Sequence, residues 1–152
     1  MDESPGGRVR RARQRAGLSQ RELARLAGIH QPNLSAIESG RVRPSEDMLR
    51  RLLDSARVRP SVILARNRER VRQIVAEHRG ARPRVFGSVA RGSDDVESDL
   101  DLLVDFELGA DLLDAVALSM DLEDLLGVHV DVVSDRRDSD VIRRARAAAV
   151  PV

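Results

Sequence analysis

The stretch FGSVARGSDDVESDLDLLVDF, residues 86–106, joins a Gly-Ser pair to an apolar run that contains carboxylates. The run is short and rich in leucine and valine, which is typical of a β-strand. Side chains alternate between the two faces of a strand, so Asp99 and Asp101 share one face and Leu100 and Leu102 share the other. The stretch therefore predicts a strand that presents two acids on one side of a sheet.

Two other apolar segments predict further strands, PRVFGS at residues 83–88 and VHVDVVS at residues 128–134. If the strand of Asp101 and the strand of Asp131 are neighbours, three carboxylates converge, and their repulsion is tolerable only with protons or cations present. Oxygen ligands of this kind suit Mg²⁺, which completes its shell with water and phosphate oxygens.

The Gly-Ser pair suggests what such a cation would hold in place. A strand, a tight glycine turn and a helix N-terminus offer free N–H groups and the Ser88 hydroxyl to a phosphate. A metal site beside a phosphate cradle indicates nucleotide chemistry. Two Mg²⁺ ions could activate an attacking hydroxyl and neutralise a departing pyrophosphate.

The segment between the second and third strands, residues 110–127, predicts a helix that ends at Gly127. Its apolar positions at helical spacing are interpreted as a core-facing stripe and not as a ligand site; they are Leu113, Val116, Ala117 and Met120.

Read whole, GSVARGSDDVESDLDLLV resembles the signature of the polymerase-beta-type nucleotidyltransferase superfamily, and most closely its minimal nucleotidyltransferases. The resemblance covers roughly residues 60–135. It implies a phosphate-binding loop, a pair of metal ligands and a third carboxylate that also serves as candidate general base. In that order these are Gly87 and Ser88, Asp99 and Asp101, and Asp131, with Arg91 and Ser98 matching the motif beside them.

Three acids in the spacer SDDVE, residues 93–97, depart from the simple motif. We expect them to add negative charge near the nucleotide-binding loop, which would weaken ATP affinity or supply extra cation binding. His129 shares the face of Asp131, and Asp105 falls on the face of Asp101. Both are left outside the catalytic set, because a lone histidine more often packs or supports a ligand and Asp105 lies near the strand end.

The first part of the chain predicts short helices. Ser19 and Glu22 form a capping box, and Gly28 ends that helix at a tight turn. Leu23, Leu26 and Ala27 are expected to form its buried face. The next helix, HQPNLSAIESG, has Leu34 and Ile37 as its buried pair and Gly40 as its stop, with His30 at its N-cap. The layout is that of a helix-turn-helix.

The polar residues of this second helix suit DNA. Gln31, Asn33 and Ser35 lie near its N-terminus, where glutamine and asparagine can pair with adenine in the major groove. Arg41 and Arg43 suit backbone phosphates. The segment from Leu18 to Leu53 resembles the Cro and lambda-repressor type of helix-turn-helix domain, which implies in addition that Gln20 contacts a phosphate and that the chain forms a homodimer on a two-fold operator.

Composition excludes several classes of protein. The absence of cysteine excludes a disulfide framework and cysteine-ligated zinc, and no apolar run could span a bilayer. Two phenylalanines are the chain's aromatic residues, so recognition of nucleic acid by base stacking is unfavourable. The N-terminal sequence lacks the apolar segment of a secretory signal, so we expect a cytoplasmic protein.

Charge divides the chain into two parts. Residues 1–82 carry 19 arginines and 9 acids, a net charge of +10, whereas residues 83–152 carry 7 arginines and 16 acids, a net charge of −9. The expected architecture is an all-α helix-turn-helix bundle, residues 1–59, followed by an α/β nucleotidyltransferase domain with a small mixed sheet, residues 60–152. A helix over residues 60–80 is expected to join them.

By resemblance, minimal nucleotidyltransferases are commonly antitoxins that transfer AMP from ATP to a tyrosine of a HEPN-type RNase toxin. The leading hypothesis is an autoregulating antitoxin of this type, with operator DNA and the toxin as partners and a homodimer or a toxin-antitoxin hetero-oligomer as its assembly. One alternative is a transcriptional repressor whose second domain senses nucleotide without transferring it. A third is nucleotidyl transfer to a small molecule or an RNA terminus.

Overall fold

The computed structural model describes residues 4–152, which form two compact units. The first unit ends at Val58 and the second begins at Arg59. Within the described residues, no helix has the combination of length and apolar character that crossing a membrane requires. The predicted functional boundary between residues 59 and 60 stays a prediction.

The described part of the first unit is helical, as predicted. Its helices are α1 Pro5–Arg15, α2 Gln20–Ala27, α3 Gln31–Glu38 and α4 Glu46–Ser55. The Ser19 side chain accepts a hydrogen bond from the backbone of Glu22, whose carboxylate accepts one from the Ser19 N–H, so the predicted capping box is confirmed. Gly28 ends α2 in the left-handed conformation, with φ of 67°, which glycine adopts without steric cost.

The core of the first unit lies between these helices. Leu23, Leu34 and Leu52 are fully buried, and Ile37 is buried with Leu34 as predicted. The prediction for Leu26 was wrong. Its side chain is 53% exposed, because the buried face of α2 runs through Leu23, Ala24 and Ala27 instead.

The second unit is an α/β structure built on a mixed sheet, which confirms the predicted fold class. Its elements are α5 Pro60–Glu77, β1 Gly80–Phe86, α6 Gly87–Arg91, β2 Leu100–Phe106, α7 Leu112–Leu126, β3 Val130–Ser134, α8 Asp140–Ala148 and β4 Val150–Pro151. The strand order is β3-β2-β1-β4. Strand β1 runs antiparallel to β2 and β4, and β2 runs parallel to β3. The short strand β4 was not predicted.

The helix predicted over residues 60–80 is three residues shorter in the structure. Helix α5 ends at Glu77, and Gly80 already begins β1. A Cβ atom at Gly80 would lie 2.8 Å from side-chain carbons of both Val75 and Val104. Glycine at this position therefore permits a close approach between the helix end and the sheet, and does not act as a helix terminator.

Helix α7 covers the sheet with a different face from the predicted one. Its buried residues are Leu118, Leu122 and Leu126, spaced four residues apart. The predicted core stripe is exposed: Leu113 by 73%, Val116 by 47% and Met120 by 63%, and Ala117 is exposed as well. The helix carries leucine or valine on both faces, so periodicity alone does not decide which face meets the sheet.

Candidate functional site

The strand register brings the three predicted carboxylates to one end of the sheet. Asp101 in β2 is the direct parallel partner of Asp131 in β3. Asp99 precedes Asp101 by two residues and therefore projects from the same face. The backbone N–H of Leu100 donates to the carbonyl of His129 at 2.9 Å, so the pairing of the two strands extends to their N-terminal ends.

Gly87 closes this end of the sheet from the side of β1. It follows Phe86, which is the antiparallel partner of Asp101, and it has φ of 67°. A Cβ atom at Gly87 would lie 2.3 Å from Oδ2 of Asp101. The backbone of the Gly-Ser loop thus passes directly against one of the candidate metal ligands, and a side chain at this position would occupy the space of that carboxylate.

The electrostatics of the cluster favour a bound cation. Partial burial raises the pKa of Asp101, and the negative charges of Asp131 and Asp99 raise it further, while Arg91 and His129 oppose the shift. A carboxyl group in this environment is relieved of repulsion by protonation or by a positive charge nearby. The donors are oxygen atoms from carboxylates, which fit a divalent cation such as Mg²⁺.

The structure adds His129 to this cluster. Asp99, His129 and Asp131 each offer one ligand atom, and these atoms lie within 4.8 Å of one another. His129 Nε2 lies 3.3 Å from Oδ1 of Asp131, and Nδ1 lies 2.6 Å from Oε1 of Glu123. The alternation of side chains along the strand correctly predicted that His129 shares the face of Asp131. The sequence did not reveal its contact with Glu123, because Glu123 belongs to a different element, α7.

The charge of its neighbours also acts on His129. Desolvation lowers the pKa of His129, but the carboxylates of Asp131 and Glu123 outweigh it and the net shift is upward. The imidazole is therefore an electrostatic partner of the acidic cluster.

The residues of the predicted phosphate-binding loop form the short helix α6. Gly87 and Ser88 are its first two residues and are partly buried, and Arg91 is its last residue and is exposed. The effect of Arg91 on the pKa of Asp101 places its positive charge within electrostatic reach of the carboxylates. Ser98 is occupied within the spacer, because its hydroxyl donates to Oδ1 of Asp95 at 3.1 Å and accepts from the Asp95 N–H at 2.9 Å. The phosphate-binding roles of these residues stay predictions.

One acid of the spacer has a structural role that the sequence did not indicate. Asp94 is buried, and its Oδ2 accepts a hydrogen bond of 2.9 Å from the backbone N–H of Ser61 in the first turn of α5. Burial raises the pKa of Asp94, but the hydrogen bonds from Ser61 and the charge of Arg59 outweigh it and lower the pKa. Asp94 therefore stays charged and its carboxylate is engaged by the start of α5, and the expected effect of the spacer acids on the nucleotide-binding loop stays a prediction.

Asp105 belongs to a different part of the sheet. It lies near the end of β2, where Arg84 Nη2 is 2.8 Å from its Oδ1 and Arg82 Nη2 is 2.5 Å from its Oδ2. Arg84 also contacts Asp135 at 2.6 Å. Asp105 is thus paired with two arginines away from the site. This explains why it takes no part in the carboxylate cluster although it lies on the same strand face as Asp101.

The predicted DNA-contacting residues lie on and beside α3. Gln31 and Asn33 are exposed, Ser35 is partly buried, and Arg41 and Arg43 are exposed beyond the helix. The structure brings the two glutamines together, because Nε2 of Gln31 donates to Oε1 of Gln20 at 2.9 Å. Gln20 and Gln31 thus form one polar surface, and the contacts of all six residues with bases and phosphates stay predictions.

Buried Glu38 supports this surface, and sequence reasoning missed it. Its carboxylate accepts hydrogen bonds from Nε2 of Gln20 at 2.9 Å and from Nε of Arg13 at 2.6 Å. The Glu38 side chain is 1% exposed, so this ion pair fixes the end of α3 against α1. A chain of hydrogen bonds therefore runs from Arg13 through Glu38 and Gln20 to Gln31. The sequence gives no sign that Glu38 is buried, because a charged residue at the end of a short helix is ordinarily expected to face solvent.

Comparison with known families matches both units. The model of the family described as a helix-turn-helix domain matches residues 6–63. The model of the family described as a nucleotidyltransferase domain matches residues 68–147, more than half of the chain. The predicted fusion of a helix-turn-helix domain to a nucleotidyltransferase domain is confirmed.

Individual proteins are similar to each part of the chain. A Methanocaldococcus jannaschii protein described as a candidate protein adenylyltransferase is 44% identical over 61 residues, 40% of this chain and 66% of that protein. The protein adenylyltransferase MntA of Thermococcus cleftensis is 51% identical over 49 residues, 32% of this chain and 50% of that protein. The chain thus spans about half to two thirds of the length of these curated relatives.

The chain is also similar to a transcriptional regulator and to a solved structure. An uncharacterised helix-turn-helix-type transcriptional regulator of Mycobacterium tuberculosis is 36% identical over 61 residues, 40% of this chain and 44% of that protein. A solved structure described as a candidate minimal nucleotidyltransferase has a TM-score of 0.55 and 46% identity, and the match covers 60% of this chain and 95% of that chain.

Proposed function

The chain belongs to the nucleotidyltransferase domain family, and we propose that it is an autoregulating antitoxin that transfers AMP from ATP to a partner toxin. The observation that carries the proposal is the register of Asp101 against Asp131, with Asp99 and the Gly87 backbone at the same end of the sheet. The similarity to proteins described as protein adenylyltransferases supports a protein as acceptor.

The proposed reaction uses three groups of side chains. Asp99, Asp101 and Asp131 would hold Mg²⁺, which supplies charge neutralisation at the phosphates and acidifies the acceptor hydroxyl. Gly87 and Ser88 would bind the phosphates of ATP, with Arg91 nearby. The acceptor oxygen forms a bond to the α-phosphorus, the bond from that phosphorus to the pyrophosphate oxygen breaks, and Asp131 accepts the hydroxyl proton.

The acceptor in this proposal is a tyrosine of a HEPN-type RNase toxin. The similarity to relatives described as protein adenylyltransferases supports a protein side chain as acceptor. The toxin and the chain would form a hetero-oligomer in the cytoplasm.

The DNA-binding part of the proposal is autoregulation. The helix-turn-helix domain would bind the operator of its own gene as a homodimer, with Gln31, Asn33 and Ser35 facing bases and Gln20, Arg41 and Arg43 on phosphates. The exposure of Gln31 and Asn33 and the hydrogen bond between Gln31 and Gln20 support this assignment.

The transfer reaction is tested by the mass of the toxin. The full chain, ATP, Mg²⁺ and the RNase encoded beside its gene are incubated, and we expect the toxin to gain the mass of AMP on a tyrosine. Asp99→Asn with Asp101→Asn should abolish the gain, because both oxygen ligands lose their charge. Asp138→Asn, in which the replaced side chain is 74% exposed and pairs with Arg143, should retain it.

Two outcomes of this experiment would contradict the transfer proposal. Neutralisation of the toxin without a gain of mass would favour the nucleotide-sensing repressor. Transfer of AMP to a small molecule or an RNA terminus, with the toxin unmodified, would favour the third hypothesis.

Operator binding is tested by a gel shift with the DNA upstream of the gene. Gln31→Ala with Asn33→Ala should remove the preference for that DNA over unrelated DNA, because the base-contacting amides are lost. The Asp99→Asn, Asp101→Asn protein should bind the operator as the unmodified chain does. Unchanged preference in the glutamine and asparagine variant would contradict the recognition-helix assignment.

A further inference from the structure

His129 is held by a partner outside the carboxylate cluster. Its Nδ1 lies 2.6 Å from Oε1 of Glu123 in α7, and the same oxygen accepts the backbone N–H of Val130 at 3.0 Å. Glu123 is therefore anchored to the first residue of β3 while it contacts the ring. This arrangement fixes the orientation of the imidazole from the side that faces away from the cluster.

The other ring nitrogen faces the candidate metal ligands. When Nδ1 carries the proton donated to Glu123, Nε2 has its lone pair free, and Nε2 lies 3.3 Å from Oδ1 of Asp131. One atom each from Asp99, His129 and Asp131 lie within 4.8 Å of one another. Ligand atoms bound at about 2.0–2.2 Å to one ion lie roughly 3–4 Å apart, so small side-chain adjustments would bring all three onto a common ion.

A carboxylate that orients a histidine through its second nitrogen is a recurring feature of metal sites. The outer carboxylate fixes the tautomer and makes the ligating nitrogen more basic. Mg²⁺ prefers oxygen ligands, whereas imidazole suits first-row transition metals, whose affinity for mixed nitrogen and oxygen sites rises from Mn²⁺ through Co²⁺ to Ni²⁺. A site that includes His129 should therefore bind transition metal ions more tightly, relative to Mg²⁺, than three aspartates alone would.

We propose that His129, oriented by Glu123, is a nitrogen ligand of the metal site and raises the affinity of the site for first-row transition metal ions relative to Mg²⁺. The inference rests on the metal-dependent site of the proposed function and adds to it the class of ion that the site takes. His129 would join the three carboxylates of the proposed site, with Asp99 and Asp131 as the oxygen ligands that lie within 4.8 Å of its ring nitrogen and Asp101 beside them.

The test measures binding of the metal alone to the full chain, without ATP or acceptor. Co²⁺ is titrated and followed by its visible absorption, and Mg²⁺ is measured by competition. His129→Gln should weaken Co²⁺ binding by about tenfold or more and leave Mg²⁺ binding nearly unchanged. Glu123→Gln should weaken Co²⁺ binding less, since the ring remains but loses its charged partner.

The matched control is the other histidine of the second unit. His78 Nε2 lies 2.6 Å from Oδ2 of Asp121, so it also pairs with a carboxylate, but it lies outside the cluster. His78→Gln should bind Co²⁺ as the unmodified chain does. Proton NMR of the Co²⁺ form should show one strongly shifted, exchangeable signal from the Nδ1 proton of His129, which His129→Gln removes.

Two results would overturn the inference, and they differ in what they imply for the proposed function. Equal Co²⁺ affinity of the unmodified chain and His129→Gln, with no shifted signal, would remove His129 from the ligands and leave the carboxylate site intact. If Asp99→Asn and Asp131→Asn also bound Co²⁺ and Mg²⁺ as the unmodified chain does, the metal site itself would be wrong and the proposed reaction would fall with it.

Discussion

At the scale of single residues, the geometry of the site depends on the absence of a Cβ atom at Gly87. Gly87 and Gly92 flank the same short helix with nearly equal φ, 67° and 69°. A Cβ atom would meet Asp101 at Gly87, whereas at Gly92 nothing lies within 4 Å. Both positions therefore favour glycine because of their backbone conformation. Only at Gly87 would a side chain also collide with the Asp101 carboxylate.

Gly87→Ala and Gly92→Ala separate these two effects. Both should lower the free energy of unfolding by about 1–2 kcal/mol, since alanine is unfavourable in the left-handed region. Only Gly87→Ala should also displace the Asp101 carboxylate, weaken Mg²⁺ binding by about tenfold and abolish AMP transfer. Calorimetric titration and the toxin mass assay check this, and equal metal affinity of the two variants would contradict the role assigned to the contact.

Glu38 gives a second prediction at this scale. Burial raises the pKa of Glu38, but hydrogen bonds from Arg13 and Gln20 and the charges of Arg13 and Arg10 outweigh it, so the net pKa lies below its ordinary value. A carboxylate with a lowered folded-state pKa stabilises the fold above its unfolded pKa of about 4.3, and this stabilisation is lost as the pH falls through the folded pKa.

Glu38→Gln should therefore destabilise the first unit by about 3 kcal/mol at neutral pH, because it leaves Arg13 without its anion. The difference from the unmodified chain should shrink as the pH falls below about 4. Amide hydrogen exchange in α1 and α3, corrected for intrinsic rates, measures both. Asp47→Asn, in which a side chain 94% exposed loses its charge, should change stability by less than about 0.5 kcal/mol.

At the scale of elements, α7 shows why an apolar helix is difficult to orient from sequence. Leucine or valine occurs on both of its faces, and the sheet covers the face of Leu118, Leu122 and Leu126. The sequence predicted a helix and its end at Gly127 correctly. Which face is buried depends on the position of β3 and β2, which helical periodicity does not contain.

The orientation of α7 is checked by paired substitutions. Leu122→Ala removes a fully buried side chain and should lower the free energy of unfolding of the second unit by about 2–5 kcal/mol. Met120→Ala, in which the replaced side chain is 63% exposed, should change it by less than about 0.5 kcal/mol. Chemical denaturation followed by hydrogen exchange in the sheet measures both values, and equal losses would contradict the observed face.

At the scale of the whole molecule, the chain combines an arginine-rich part with an acidic part. The charge of +10 over residues 1–82 favours a polyanion, and the carboxylates of the second unit favour cations. Operator binding should weaken as salt rises, because contacts with DNA phosphates release counterions. AMP transfer should depend less on salt, because the proposed metal would lie among close ligands.

Arg41→Ala with Arg43→Ala tests the phosphate contacts. The slope of the logarithm of operator affinity against the logarithm of salt concentration should become shallower by about 4, since the proposed homodimer loses two phosphate contacts on each protomer and each contact contributes about 0.9. The preference for operator over unrelated DNA should remain, in contrast to Gln31→Ala with Asn33→Ala. Loss of preference with an unchanged slope would indicate that these arginines contact bases and not phosphates.

The sequence by itself determined the two-domain plan, the capping box of α2 and the shared face of Asp99 and Asp101, because caps, turns and strand alternation depend on neighbouring residues. It also gave the correct conditional statement that Asp131 joins Asp101 if their strands are adjacent. The tertiary structure decided that adjacency, and it also decided the contacts of Asp94, of Glu38 and of the Glu123-His129 pair. Each of these depends on contacts between residues far apart in the chain or on different elements, and such contacts form only when the elements pack.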